Sequence, residues 1–373
     1  MNQLPQLATK TKINFSLLQI FRGWAAILVI LTHATGISSS KHGASFLGDF
    51  FEMGNAGVDF FFVLSGFLIC FIHRKDFGHP DRLRSYLKKR AVRIFPIYWL
   101  VTLIILPVYF LVPGYGQGDE THLSVIVGSL LLFPLERAPI LVAGWSLRHE
   151  ILFYFLFALL IGFRGKWVWA LLGAWVVGVI VSLACSVGQD FRGAFPDLSP
   201  WQHVIWWPQN VEFFVGAVAA VYVTSPRAVR PSRGVCFWGL LLALVGFLLC
   251  GVIIPGIVSL QSAVHILVYG GLSFCIVVFS TLIDLRGGLS TRVVGSAGYR
   301  LMQYFGDASY SVYLVHGPAL SVLFKVAGSQ GYFQKFSTQL ITPLIIILTL
   351  SVGCLFHSLV ERPLLKAVRR WTA

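Results

Sequence analysis

Charge is what this chain is short of. Only 12% of its 373 residues are Asp, Glu, Lys or Arg, against roughly 25% in soluble domains. Together with 56% hydrophobic residues and a mean hydropathy of +0.77, that scarcity excludes an ordinary soluble domain and points to a chain that crosses a membrane many times. Cysteine is sparse as well. The six (Cys70, Cys185, Cys236, Cys250, Cys275 and Cys354) contain no CxxC pair. They read as apolar packing residues, so neither a metal site nor a disulfide framework is expected. Internal repeats, low-complexity tracts and a separate soluble region are lacking too. Residues 1–373 are therefore expected to form one transmembrane domain whose function sits in the bundle. The first apolar run is too long for the core of a signal peptide and has no small-residue cleavage site, so it is expected to be retained.

What is present is a series of apolar segments. Ten of them, near 15–37, 57–73, 94–112, 147–163, 167–187, 204–223, 235–254, 263–283, 307–327 and 340–360, approach the roughly 20 residues that a spanning helix needs. The expected fold is all-α, a polytopic bundle of about ten transmembrane helices. An eleventh stretch, 123–134, has the length of a re-entrant or interfacial piece.

A net charge of +14 would suggest nucleic acid in a soluble protein, but its distribution gives another reason. With both termini cytoplasmic, the internal segments carry 22 of the 29 Lys and Arg, from Lys10 and Lys12 through the cluster at 74–93 to Arg370. The external segments carry four: Lys41, Arg137, Arg192 and Lys335. This is the positive-inside pattern. It implies an integral multi-pass protein of the cell (inner) membrane, with the bilayer and not nucleic acid as its partner. Counting 123–134 as a crossing would put the later basic loops outside, so it is expected to dip in from the outer face.

Against that apolar background a few polar residues stand out. Arg22 and His33 lie in the first span, where ionisable groups are costly and usually face a bundle interior or a cavity. Eleven residues at about 100° each bring them to nearly the same helical face, roughly 16 Å apart along the axis. His33, with no route to the interface, is a candidate general base. Ser65-Gly66 in the second span allows close approach of a helix or of an extended ligand. Asp59 lies near the outer end of that span. The stretch 82–94 reads as a basic amphipathic helix on the cytoplasmic surface. Its Arg90 and Arg93 suit either phosphate capture or contact with anionic lipid. Glu150, at the depth of His33, either orients that imidazole or pairs with Arg148. His316, two residues before Pro318, is a candidate cavity residue, whereas Glu212, Asp307, His265 and His357 read as interfacial.

Six patterns together make the chain resemble the acyltransferase-3 family of membrane acyltransferases, which includes O-acetyltransferases of bacterial surface polysaccharides. They are Arg22-x10-His33, the run from Gly57 through Ser65-Gly66, and Arg90-x-x-Arg93 before Pro96. Trp145-Ser-Leu-x-x-Glu150-x-x-Phe-Tyr154, Tyr313-Leu-Val-His316 and Val360-Glu-Arg-Pro363 complete the set in family order. The resemblance implies an acyl-CoA donor, usually acetyl-CoA, and a sugar or lipid-linked glycan hydroxyl as acceptor. On this expectation His33, Arg22 and Glu150 are catalytic. Arg90, Arg93, Ser65 and Gly66 bind the donor, while Asp59 and His316 bind the acceptor. Transfer is either direct or through an acyl-histidine. Some relatives carry a soluble domain after the last span. This chain ends ten residues past Pro363, so its membrane domain is expected to act alone or with a partner. The competing expectation is a proton-coupled exporter, which the lack of repeats disfavours.

Overall fold

Long apolar runs become helices here because, in hydrocarbon, only an intrahelical ladder or a closed barrel satisfies the backbone. The computed structural model describes residues 15–43, 46–48, 50–112, 115–187, 191–253 and 262–372, and among these no residue is in a strand. The first helices are α1 (Ser16–His42), α2 (Gly57–His73, entered through a tight turn at Phe50–Ala56) and α3 (Pro80–Leu111). A short α4 (Leu123–Leu130) precedes α5 (Gly144–Gly162), α6 (Lys166–Cys185), α7 (Pro200–Trp206) and α8 (Asn210–Thr224). The chain continues with α9 (Arg233–Ile253), α10 (Ala263–Leu285), α11 (Ala297–Ser329), α12 (Thr338–Phe356) and α13 (Arg362–Thr372).

Among the described residues, ten helical stretches are long and apolar enough to cross a membrane. The sixth joins α7 to α8, and the tenth runs from α12 into α13. Each expected segment falls on one of them, and the protein is an integral multi-pass membrane protein. Lys10 and Lys12 lie outside the described residues.

The α4 segment dips into the bundle. Tyr98 donates to the Ser129 carbonyl at 2.8 Å, and the Trp99 indole donates to the Leu130 carbonyl at 2.8 Å. Tyr98 is thirteen residues before the end of α3, so α4 reaches about 20 Å along that helix at 1.5 Å per residue. With only eight residues, it is too short to cross.

The expected surface helix over 82–94 does not stand apart. It forms the first part of α3, which runs unbroken for 32 residues through Pro96 and Pro107. Prolines persist in such helices where neighbours re-satisfy the backbone. Separately, the Tyr310 hydroxyl of α11 donates to the Ile94 carbonyl at 2.9 Å and ties α11 to α3.

Two glycine-mediated crossings set the frame. At α2/α8, a Cβ on Gly66 would strike the Phe213 carbonyl, and one on Gly216 would strike the Val63 carbonyl. At α1/α11, a Cβ on Gly306 would strike the Gln19 carbonyl, while one on Gly23 would press on the Phe305 and Gly306 backbone. Small residues let backbones approach where no hydrophobic force drives helices together. The second crossing fixes α11 beside α1, and so His316 beside His33.

Candidate active site

Three cavities adjoin one another through the bundle. The first is a basic cleft of about 890 Å³ lined by Arg84, Lys88, Lys89, Arg93 and Arg369, with Asp81 as its acidic member. The second is a neck of about 70 Å³ holding Arg22, Arg93, Ser65, Glu150, Tyr310 and Tyr313. The third is a chamber of about 780 Å³ that contains His33 and His316. Arg93 lines both cleft and neck. Val58 and Tyr313 line both neck and chamber.

In the neck, Arg22 turns inward instead of reaching for the interface. Its Nη1 donates to Gln19 Oε1 at 2.9 Å, and Gln19 Nε2 in turn donates to Asp307 at 2.6 Å. Glu150 accepts from the Tyr154 hydroxyl and lies 3.5 Å from Ser65 Oγ. Among the described residues, no ion pair within 4.0 Å joins Glu150 to Arg22 or Arg93. Two guanidinium groups around one carboxylate leave a net positive charge, which favours an anionic group in transit.

In the chamber, His33 Nδ1 donates to the Val29 carbonyl at 2.8 Å and His316 Nδ1 donates to the Tyr313 carbonyl at 2.5 Å. A carbonyl only accepts, so each partner places the proton on Nδ1 and leaves Nε2 with a lone pair. The two rings meet edge to face, with centroids 5.0 Å apart. Tyr313 packs against His316 and shares a 2.6 Å hydrogen bond with Ser146.

Several expectations need correction. Glu150 does not orient His33, because its hydrogen bonds stay in the neck and the Val29 carbonyl fixes the imidazole instead. Nor does Arg148 pair with Glu150. Residues 145, 148 and 149 share one face of α5, and 146, 147 and 150 share the other, so the arginine points away from the neck. Arg90 and Arg93 part company as well. The two side chains lie about 60° apart around α3, and Arg93 lines the cleft and the neck. Arg90 is buried between the Tyr86 and Tyr154 rings, at 5.6 and 5.4 Å from their centroids. Gly66 packs helix on helix, and only its neighbour Ser65 faces a cavity.

Asp59 is fully buried and accepts from His265 Nε2 at 3.1 Å and from Gln209 Nε2 at 3.4 Å. It lines none of these three cavities. Glu212 and His265, expected at the interface, are fully buried beside it. His357 and Glu361 are also buried, paired at 2.7 Å, and Ser311 donates to the same carboxylate at 2.5 Å. Sequence reasoning gave no role to Tyr154, Tyr310 or Tyr313. Tyrosine is common at membrane interfaces, and no spacing distinguishes one that faces a cavity.

A family profile described as an acyltransferase domain matches residues 16–358 of this chain. The exopolysaccharide production protein ExoZ of Rhizobium meliloti (strain 1021) is 30% identical over 347 residues, covering 89% of this chain and 96% of that protein. No solved structure matches the chain significantly.

Proposed function

This chain belongs to the acyltransferase-3 family, and from that premise we propose that it transfers an acetyl group from acetyl-CoA to a hydroxyl of a polysaccharide or lipid-linked glycan. Both termini and the basic cleft face the cytoplasm in this reading, at the inner membrane, and residues 1–373 act as one domain. The observation that carries it is the succession of cavities, cationic at one end and bearing two imidazoles at the other. ExoZ is an exopolysaccharide production protein, which supports a glycan as acceptor. The exporter alternative loses its ground once the family is an acyltransferase family.

Coenzyme A is a polyanion that cannot enter hydrocarbon. Its phosphates suit the cleft at Arg84, Lys88, Lys89 and Arg93, where charge-assisted hydrogen bonds form. The pantetheine arm, with a length roughly half of the ~30 Å bilayer core, passes Arg22 and Ser65 and delivers the thioester to the chamber. His33 Nε2 takes the proton of the acceptor hydroxyl as its oxygen bonds to the thioester carbonyl carbon. The carbon–sulfur bond then breaks, the thiolate leaves, and the imidazolium returns its proton to sulfur. The products are the acetyl ester and free CoA. His316 Nε2, on the facing ring, accepts a hydrogen bond from a neighbouring hydroxyl of the acceptor and so aligns it. Arg22 and Arg93 give the neck the positive charge that favours passage of the anionic donor.

The test is acetyl-CoA binding to purified protein, combined with thiol release. The expected result is saturable binding that weakens about tenfold or more on loss of Arg93, as for a charge-assisted contact. His33→Ala should bind donor and release thiol about 10²–10⁴-fold more slowly. Folded wild-type protein that binds no acyl-CoA would overturn the proposal.

A further inference from the structure

A fourth cavity lies on the other side of Trp145, and the chemistry above makes no use of it. Its volume is about 520 Å³, within the range of ligand sites. α5 supplies Trp145, Arg148 and His149 on one face, and the far wall carries His203, Trp207 and Arg192. Its carboxylates, Glu136 and Asp197, are exposed residues, whereas Arg148 is only 8% exposed.

Arg148 is the anomaly. Its Nε and Nη2 are buried with no hydrogen-bond partner, and it forms no ion pair among the described residues. His203 Nδ1 is also buried and unpartnered. Buried charges are normally paired, because an uncompensated one costs folding free energy. The neighbouring groups are already committed. His149 Nδ1 bonds Asn210 at 3.0 Å, and the Trp207 indole donates to Gln209 at 2.8 Å. The Trp207 ring is only 7% exposed, with the Arg192 guanidinium 5.9 Å from its centroid and His149 and Phe191 packed against it. Trp145 lines both this cavity and the histidine chamber, so a molecule seated here has the reacting site as its neighbour.

We propose that this cavity is an acceptor subsite for a carboxylate-bearing sugar, with the Arg148 guanidinium on the carboxylate and the half-buried indole of Trp145 against the sugar ring. The inference rests on the acyltransferase reading for the reaction that follows binding, although the binding itself does not. A planar guanidinium matches a carboxylate through two parallel hydrogen bonds. A flanking indole suits a ring that carries its acid directly, as a uronate does. A free phosphate would have no use for it.

The experiment is a binding titration of the detergent-purified full chain with methyl β-glucuronide and its neutral counterpart, methyl β-glucoside. Wild type is expected to prefer the glucuronide by about tenfold or more, the ratio for one charge-assisted hydrogen bond. Arg148→Gln should abolish the preference, and Arg148→Lys should retain part of it. Both variants are checked for fold by unchanged acetyl-CoA affinity. Equal binding of the two glycosides, no saturable binding of either, or a preference that survives in Arg148→Gln would overturn the proposal. Inorganic phosphate that competes as strongly as the glucuronide would overturn the sugar assignment. Glucuronide preference in a protein that takes no acetyl-CoA sinks the donor reading and leaves this one standing. Thiol release without any sugar preference does the reverse.

Discussion

His33 and His316 face each other edge to face at 5.0 Å between ring centroids, each with Nδ1 held by a backbone carbonyl of its own helix. The arrangement follows from the glycine crossing of α1 and α11, which brings two backbones close enough for short imidazoles to meet. Both free nitrogens are Nε2, so the pair offers a base for one hydroxyl and an acceptor for a second. His33→Ala should lower turnover by about 10²–10⁴-fold, the usual contribution of a general base. His316→Ala should mainly raise KM for the acceptor. Thiol release measured against acceptor concentration separates the two, and a normal rate from His33→Ala would remove it from the chemistry.

Glu150 tests whether the backbone alone sets the His33 tautomer. Since its carboxylate bonds Tyr154 and Ser65, Glu150→Gln should leave the acid limb of the pH–rate profile where it is. Losing the single negative charge of the neck should tighten binding of the anionic donor. A displaced acid limb with unchanged donor affinity would instead make Glu150 the partner of the imidazole.

Arg90 and Arg93 should behave differently despite their spacing. Arg93→Ala is expected to weaken acetyl-CoA binding while thermal stability stays close to wild type. Arg90→Ala removes a buried cation from between two tyrosine rings, a contact worth about 0.5–2 kcal/mol. It should lower the melting temperature and leave donor affinity of the folded fraction intact. Reversed outcomes would restore the phosphate-binding pair read from the sequence.

The bundle was legible in the sequence because the signal is long. Ten apolar runs and an uneven Lys/Arg distribution survive any local ambiguity, and 123–134 was short enough to be told apart. The site was legible wherever the bilayer makes a polar residue costly, as with Arg22, His33 and His316. It was not legible where direction matters. The run Trp145-Ser-Leu-Arg-His-Glu150 sends alternate faces into different cavities, and only the rotation of α5 against its neighbours decides which. Depth misled as well. Asp59, Glu212 and His265 sit near the ends of their spans, yet all three are fully buried, and Gln209 at the α7–α8 junction reaches Asp59.

Ser65-Gly66 divides its labour between packing and the cavity. Gly66→Ala would place a methyl group against the Phe213 carbonyl of α8. Forcing extra volume into a packed crossing costs about 1–3 kcal/mol, and Gly216→Ala should cost a similar amount. Ser65→Ala fills no space and should keep full stability. Thermal unfolding of the three variants checks this, and a neutral Gly66→Ala would mean that the crossing is looser than described.

Asp59 and His265 form a hydrogen-bonded pair, and both side chains are wholly excluded from solvent. Breaking such a pair leaves a buried polar group short of a partner and costs about 1–3 kcal/mol. Asp59→Ala should therefore be destabilising, although Asp59 touches neither cleft, neck nor chamber. The activity of the protein that does fold should be close to normal. Since the penalty belongs to the orphaned partner, removing both side chains should cost less than the sum of the single losses. A double-mutant cycle of Asp59→Ala and His265→Ala, read by thermal unfolding beside thiol release per folded molecule, measures both quantities. Additive losses would show that the two residues act separately. A stable Asp59→Ala variant that releases no thiol would move Asp59 from the scaffold to the acceptor site, where the sequence first put it.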